Sequence, residues 1–215
     1  MNTVHIVAAV LLGMGGYLLG AIPFGVLVGR AGYGVDVREH GSHNIGTTNV
    51  FRVLGARAGI IVLVCDIAKG WAPAFVAVRF FPPWVAVLIA VMPMIGHMKS
   101  VFLRGGGGKA AAAGAGMVLG LMWPVALIVT GVCVVVLVST RIMSLATIVA
   151  TLVFPVAAWL LHEPLAYRIA SFAVCAAVLW THRSNIGRLL KGTEPRVHIG
   201  HAAPPATGGG HPGPA

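Results

Sequence analysis

Four stretches of this 215-residue chain carry most of its polar chemistry: GSHNIGTTNVFR at 41–52, GHMKSVFLRGGGGK at 96–109, RIMS at 141–144 and HRSNIGRLLKGTE at 182–194. Glycine-rich backbone exposes N–H groups without side-chain obstruction, Ser, Thr and Asn add donors, and Lys and Arg add positive charge. That inventory suits phosphate. Lys109 also stands where a helix opens, so the positive end of the helix dipole adds to the attraction. The phosphate loop of nucleotide-binding proteins does not fit. Leu103 stands where its first glycine belongs, Ala110 where its Ser or Thr belongs, and no strand precedes it. On composition alone GGGG is a flexible connector, but Lys109 at its edge and the apolar surroundings argue against a simple linker.

Asp66 and Lys69 are three residues apart in an apolar run and so share a helix face. Ionisable groups at membrane depth face the protein interior and take partners. The two read equally well as a self-neutralising ion pair or as part of a site. His97 reads as a satisfied hydrogen-bonding residue. His182, followed by Arg183, Asn185 and Arg188, reads as a functional one. The sequence contains no pair of deep carboxylates, no Cys/His metal set and no Gly-x-Ser-x-Gly turn, so a covalent or metal mechanism has no support in it. Chemistry that mainly holds anions in position does.

The elements that must position these residues are nearly all hydrocarbon. The chain is 58% hydrophobic and 9% charged, against roughly one quarter charged in a soluble domain, which predicts an all-α integral membrane protein. Apolar runs cover about 4–29, 58–80, 84–98, 110–139, 145–161 and 165–181. The fourth is too long for one span, and Trp123-Pro124 in its middle predicts a break, hence seven transmembrane helices in one compact bundle. The run at the N-terminus lacks a basic flank, its first Lys or Arg being Arg30, and reads as a retained helix.

Fifteen Lys and Arg against five Asp and Glu give a net charge of +10, but the aromatic interleaving of a nucleic-acid binder is missing. Twelve of the cations fall in one set of loops and only Arg79 and Arg168 in the other, with Lys69 inside a helix. The positive-inside rule then places the N-terminus outside, the C-terminus in the cytoplasm and all four polar stretches on the cytoplasmic face. The pairs Gly16/Gly20, Gly25/Gly29 and Gly116/Gly120 predict close helix approaches. Cys65, Cys133 and Cys175 read as small core residues. Residues 1–194 form the predicted membrane domain. Residues 195–215, rich in Pro, Gly, Ala and His, read as a disordered tail whose His198, His201 and His211 lack metal co-ligands.

The motifs GSHNIGTTNVFR, CDIAKG, GHMKSVFLRGGGGKAAAAGAG, RIMSL and HRSNIGRLLKGTE resemble, in order and spacing, the bacterial membrane glycerol-3-phosphate acyltransferases of the acyl-phosphate type (PlsY family), over about residues 15–194. The resemblance implies a bacterial inner-membrane enzyme that moves a fatty acyl chain from acyl phosphate to the 1-hydroxyl of glycerol 3-phosphate, without cofactor or metal. Lysophosphatidic acid and phosphate would be the products. It implies membrane lipid as surroundings and the enzyme that makes acyl phosphate as a candidate partner. By position it assigns Ser42, Asn44, Gly46, Thr48, Asn49 and Arg52 to the first motif, Gly107, Gly108 and Lys109 to the second, and His182, Asn185, Arg188 and Glu194 to the third. Lys69 and Ser144 fall near the substrates.

The chain departs from the family at His43, where Gly is usual, at Thr47, where Ala is usual, and at Gly106, Ala110 and Ala113, where Lys, Gly and Thr are usual. Arg104 is the expected replacement for the missing cation. The expected division of labour has Ser42, Arg52 and Lys109 holding glycerol phosphate with Asn185 and Arg188 nearby, and glycine-loop amides with Thr48 holding acyl phosphate. His182 or a substrate phosphate oxygen takes the hydroxyl proton. The rival class is a carrier or channel for phosphate-bearing anions. Its weakness is sidedness, since only Arg79, His162, Glu163 and Arg168 are visible on the far face.

Overall fold

The computed structural model describes residues 2–197, and among them no strand occurs. The elements in order are α1 (Thr3–Ala21), α2 (Phe24–Tyr33), α3 (Thr47–Leu54), α4 (Ala56–Phe80), α5 (Pro83–Met98), a single 3-10 turn (Val101–Leu103), α6 (Ala111–Leu121), α7 (Trp123–Thr140), α8 (Met143–Leu160), α9 (Leu165–Thr181) and α10 (Arg183–Leu190). Five stretches, α1, α4, α5 continued through the 3-10 turn (Pro83–Leu103), α7 and α8, are long and apolar enough to cross a membrane, and α9 makes a sixth only together with α10, from which it is bent by 62°.

Of the seven spans expected, the described residues thus give five, or six with the bent pair, and α6 is a shorter apolar helix. With 11 residues, α6 rises only about 16 Å, roughly half of a hydrocarbon core. The break at Trp123-Pro124 is present, with Pro124 in the first turn of α7, where its missing N–H costs nothing. The first apolar run, read as one helix over 4–29, is instead two. Pro23 ends α1 and starts α2, and the carbonyls freed by that break find donors. Ser100 Oγ donates to Ala21 O at 2.6 Å and Lys69 Nζ to Ile22 O at 3.1 Å. Irregular backbone at membrane depth persists only where it is satisfied in this way.

The core is built from small residues. Ala74, Ala77, Ala86, Ala90, Ala113 and Ala158 are fully buried, which lets backbones meet where apolar burial supplies no drive between helices in lipid. Of the small-residue pairs, Gly116 and Gly120 do what the spacing predicts. A methyl on Gly116 would overlap the Ile67 carbonyl of α4, and one on Gly120 would crowd Phe75 and Trp71. Gly20 meets the Pro93 backbone of α5 likewise. Gly25 and Gly29 differ: they accept Ile45 and Val35 of the following loop, not a neighbouring helix. The outer faces remain apolar, as bilayer contact requires, with Leu127, Val134, Val135 and Val138 of α7 all exposed.

Two loops carry the first two polar motifs. Between α2 and α3, the buried carboxylate of Asp36 accepts from Arg30 Nη2 at 2.7 Å and from Arg38 Nη2 at 2.6 Å. The Arg38 guanidinium, with Arg30, holds that carboxyl far below the usual range although burial acts in the opposite sense. Between α5 and α6, the glycine loop ends at Ala110, which takes a left-handed backbone at φ 59° and is buried. Residues 195–197, assigned to the tail from sequence, are joined to the bundle, since Val197 N donates to Arg141 O at 2.6 Å. The remaining tail residues with His198, His201 and His211 lie outside the described residues.

Gly116→Val is expected to lower stability by about 1–3 kcal/mol through overpacking of α4 on α6. Gly131→Val, in α7 with open space around it, leaves the thermal midpoint in detergent unchanged. Ala110→Gly relieves about 1–2 kcal/mol of left-handed strain and restores up to about 1 kcal/mol of unfolded-state freedom. The same unfolding measurement should show a net gain of up to about 1 kcal/mol.

Candidate functional site

The bend between α9 and α10 turns Asn185 and Arg188, three residues apart, to one face of the short helix. Gly192, at φ 67°, then reverses the chain, and Thr193 N donates back to Arg188 O at 2.9 Å. This delivers the carboxylate of Glu194 between α8 and α10. Its Oε1 accepts from Ser144 Oγ of α8 at 2.7 Å and from Asn185 Nδ2 at 2.6 Å, and its Oε2 accepts from Arg188 Nε at 2.6 Å. Burial alone would raise the Glu194 carboxyl, but the bonds from Ser144, Asn185 and Arg188 outweigh it and hold the group below its ordinary value.

Asn185 has a second end. Its Oδ1 accepts from Lys109 Nζ, so one amide ties the glycine loop to the C-terminal segment. Burial lowers the proton affinity of the Lys109 amine, and the charges of Arg188 and Arg52 act in the same direction, partly offset by Glu194. Arg52 of α3 is thus close enough to Lys109 for their charges to interact. Arg188 and Glu194 from the C-terminal segment and Arg52 from the first motif thus all act on the charge of Lys109.

His182 ends α9 and is 4% exposed. Its Nδ1 lies 2.8 Å from Val178 O, a pure acceptor, so Nδ1 carries the proton and Nε2 presents a lone pair. Burial lowers its pKa from the ordinary 6.5, and Lys109 adds to the effect, against the Val178 bond and Glu194. Thr181, which nothing in the sequence singled out, links the two segments by donating toward Lys109 O at 3.2 Å and Val178 O at 2.8 Å.

The glycine loop is arranged differently from the expectation that its amides are free for an anion. Gly105 N donates to Ser100 O at 2.8 Å, Gly106 N to Leu103 O at 3.0 Å and Gly108 N to His97 O at 3.0 Å. What remains open is the first turn of α6, whose leading N–H groups have no intrahelical acceptor. Gly107 and Gly108 are required by packing: a methyl on either would overlap the end of α5, at His97 and Met98 for the first and at the His97 ring for the second.

Asn49, Asn44 and Lys69 make their polar contacts within the scaffold. Asn49, 1% exposed, spends its amide on the loop before it, donating to Val37 O, His40 O and Asn44 O while its Oδ1 accepts from Ser42 N at 2.8 Å. Asn44 Oδ1 accepts from Gly46 N at 2.8 Å and shapes the approach to α3. Lys69 is buried against Asp66 and belongs to the layer beneath the glycine loop, not to the Lys109 cluster. Arg104 is exposed and, among the described residues, its guanidinium makes no hydrogen bond or ion pair. Ser42 is exposed on the first loop and Thr48 half-buried in the first turn of α3. His43 tolerates φ 57° because its Nδ1 reaches Arg38 O at 2.9 Å.

The family model described as glycerol-3-phosphate acyltransferase matches residues 10–192. A glycerol-3-phosphate acyltransferase of Rubrobacter xylanophilus is 46% identical over 186 residues, covering 86% of this chain and 93% of its own. One from Synechococcus sp. strain JA-2-3B'a(2-13) is 42% identical over 189 residues, covering 88% and 94%. The crystal structure of PlsY (YgiH), an integral membrane glycerol 3-phosphate acyltransferase, in its glycerol 3-phosphate form superposes with a TM-score of 0.85 at 36% identity, covering 89% of this chain and 96% of that one. Its lysophosphatidic acid form gives 0.83 at 35% identity. With a matching family model over most of its length, relatives above 40% identity and the same helical frame around the Lys109–Asn185–Glu194 network, this chain belongs to the glycerol-3-phosphate acyltransferase family of integral membrane enzymes.

Proposed function

We propose that the protein transfers a fatty acyl chain from acyl phosphate to the 1-hydroxyl of glycerol 3-phosphate at a cytoplasmic site in the bacterial inner membrane, in a seven-span arrangement with the N-terminus outside. The observation that carries the reading is the charge balance around Lys109. Lys109, Arg52 and Arg188 against Glu194 leave an excess of two positive charges, which matches a phosphate dianion. Acyl phosphate is already activated, so the enzyme's main task is to hold two anions together against their repulsion. Lys109 and Arg52, with Ser42 on the adjoining loop, bind glycerol 3-phosphate, and Arg188 and Asn185 orient it. The opening turns of α3, with Thr48, and of α6 receive acyl phosphate through their free N–H groups. The acyl chain lies along the apolar helices with membrane lipid, and the enzyme that makes acyl phosphate is the proposed partner.

In the transfer step the acceptor hydroxyl oxygen attacks the acyl carbon while its proton passes to His182 Nε2. The bond between the acyl carbon and the phosphate oxygen breaks, and the electron pair leaves with phosphate, which then takes the proton from Nε2. A transport function would need a polar route to the far end. The interior along that direction is instead filled by Ala74, Ala77, Ala86, Val87, Ile89 and Ala90.

Purified protein in lipid, offered acyl phosphate, acyl-CoA and acyl-carrier protein in parallel with labelled glycerol 3-phosphate, is expected to form lysophosphatidic acid from acyl phosphate. Product from another donor alone would overturn the donor assignment. His182→Ala is expected to lose about 10²-fold in kcat with little change in KM; a loss confined to KM would remove the base role. Because His182 is held below 6.5, it takes up its proton at a lower pH than an ordinary histidine. The acid limb of the kcat profile should therefore lie below pH 6.5.

A further inference from the structure

Directly beneath the glycine loop lie three ionisable side chains that the transfer reaction does not use. Asp66 and Lys69, nearly one turn apart on α4, are 1% and 2% exposed and meet at 2.8 Å. His97, from the last turn of α5, is 4% exposed, with Nδ1 3.8 Å from Asp66 Oδ1 and without a hydrogen-bond partner among the described residues. An ion pair in such surroundings costs more in desolvation than it returns unless it also organises its neighbours. Here it has neighbours to organise. Lys69 Nζ donates to Ile22 O at the break between α1 and α2, and the His97 imidazole forms the surface on which Gly108 rests, a methyl there overlapping Nε2. The Gly108 amide is anchored to the carbonyl of the same histidine. Lys109 is the next residue.

We propose that Asp66, Lys69 and His97 act as a positioning unit for the glycine loop: the ion pair holds the imidazole, the imidazole sets the height of Gly108, and that height sets the reach of Lys109 to Asn185 and to the phosphate of the acceptor. These are positioning residues and touch no substrate. The inference rests on the reading that Lys109 binds glycerol 3-phosphate, and it predicts coupling between the His97 ring and the Gly108 Cα position, which meet across one van der Waals surface.

The test is a double-mutant cycle in full-length protein in lipid nanodiscs, reading the Kd for glycerol 3-phosphate by titration calorimetry and KM and kcat by acyl transfer. His97→Ala removes the seat and Gly108→Ala lifts the loop from the same seat. Each should raise Kd and KM roughly ten-fold or more, with kcat within about three-fold and the thermal transition retained. With the ring gone the added methyl has room, so the double variant should bind much more tightly than the product of the two single effects predicts. Unchanged Kd in His97→Ala, or single effects that simply multiply, overturns the proposal. If His97→Ala yields no folded protein, His97→Asn takes its place in the cycle, and an unchanged Kd for Gly108→Ala then suffices to overturn it. Wild-type protein that binds no glycerol 3-phosphate would sink the underlying reading, whereas wild type that binds while all variants bind equally sinks the positioning unit alone.

Discussion

Everything at the site depends on placing one carboxylate among clustered cations in a partly dry environment. Like charges about 4 Å apart repel by about 4 kcal/mol at an effective dielectric of 20, so Lys109, Arg52 and Arg188 could not converge unopposed. Glu194 makes the convergence tolerable, and its three donors come from α8 and α10. The same carboxylate therefore sets both the shape of the C-terminal segment and the charge left over for a substrate.

Glycine serves this arrangement mainly as absent volume. Gly116 and Gly120 bring α6 against α4, so the short helix that follows Lys109 is held at a fixed depth. Gly107 and Gly108 let the loop lie flat on the end of α5, and the amides of Gly105, Gly106 and Gly108 are spent on the carbonyls of Ser100, Leu103 and His97. Read one motif at a time, four glycines beside a lysine suggest a cradle of free N–H groups. Three of those amides are instead occupied, because a loop pressed against a helix end must satisfy its own buried backbone first.

The helical class, the break at Trp123-Pro124 and the grouping of Ser144, Asn185, Arg188 and Lys109 were all legible from residue types and order. Other features were not. The split at Pro23 lies in a run of unbroken hydropathy, and it survives because Lys69 and Ser100, far away in sequence, donate to the freed carbonyls. Asn49 has the look of a ligand-binding residue in a polar motif, yet its position at the start of α3 points it back into its own loop. Arg104, chosen as a substitute cation, follows a 3-10 turn in a left-handed conformation and stays in the open.

The sequence by itself determined that the chain is a helical membrane protein with its polar residues gathered in a few short motifs, because hydropathy and residue chemistry are local properties. It also carried the motifs that mark the family. Only the tertiary structure decided which polar atoms remain available. Asp66 and Lys69 are a buried pair under the loop, Glu194 is the hub of the network, and His182 offers Nε2 because Val178 O occupies Nδ1. Availability is what remains after every buried donor and acceptor has found a partner, and some of those partners, such as Lys109 with Asn185 and Ser144 with Glu194, lie far apart along the chain.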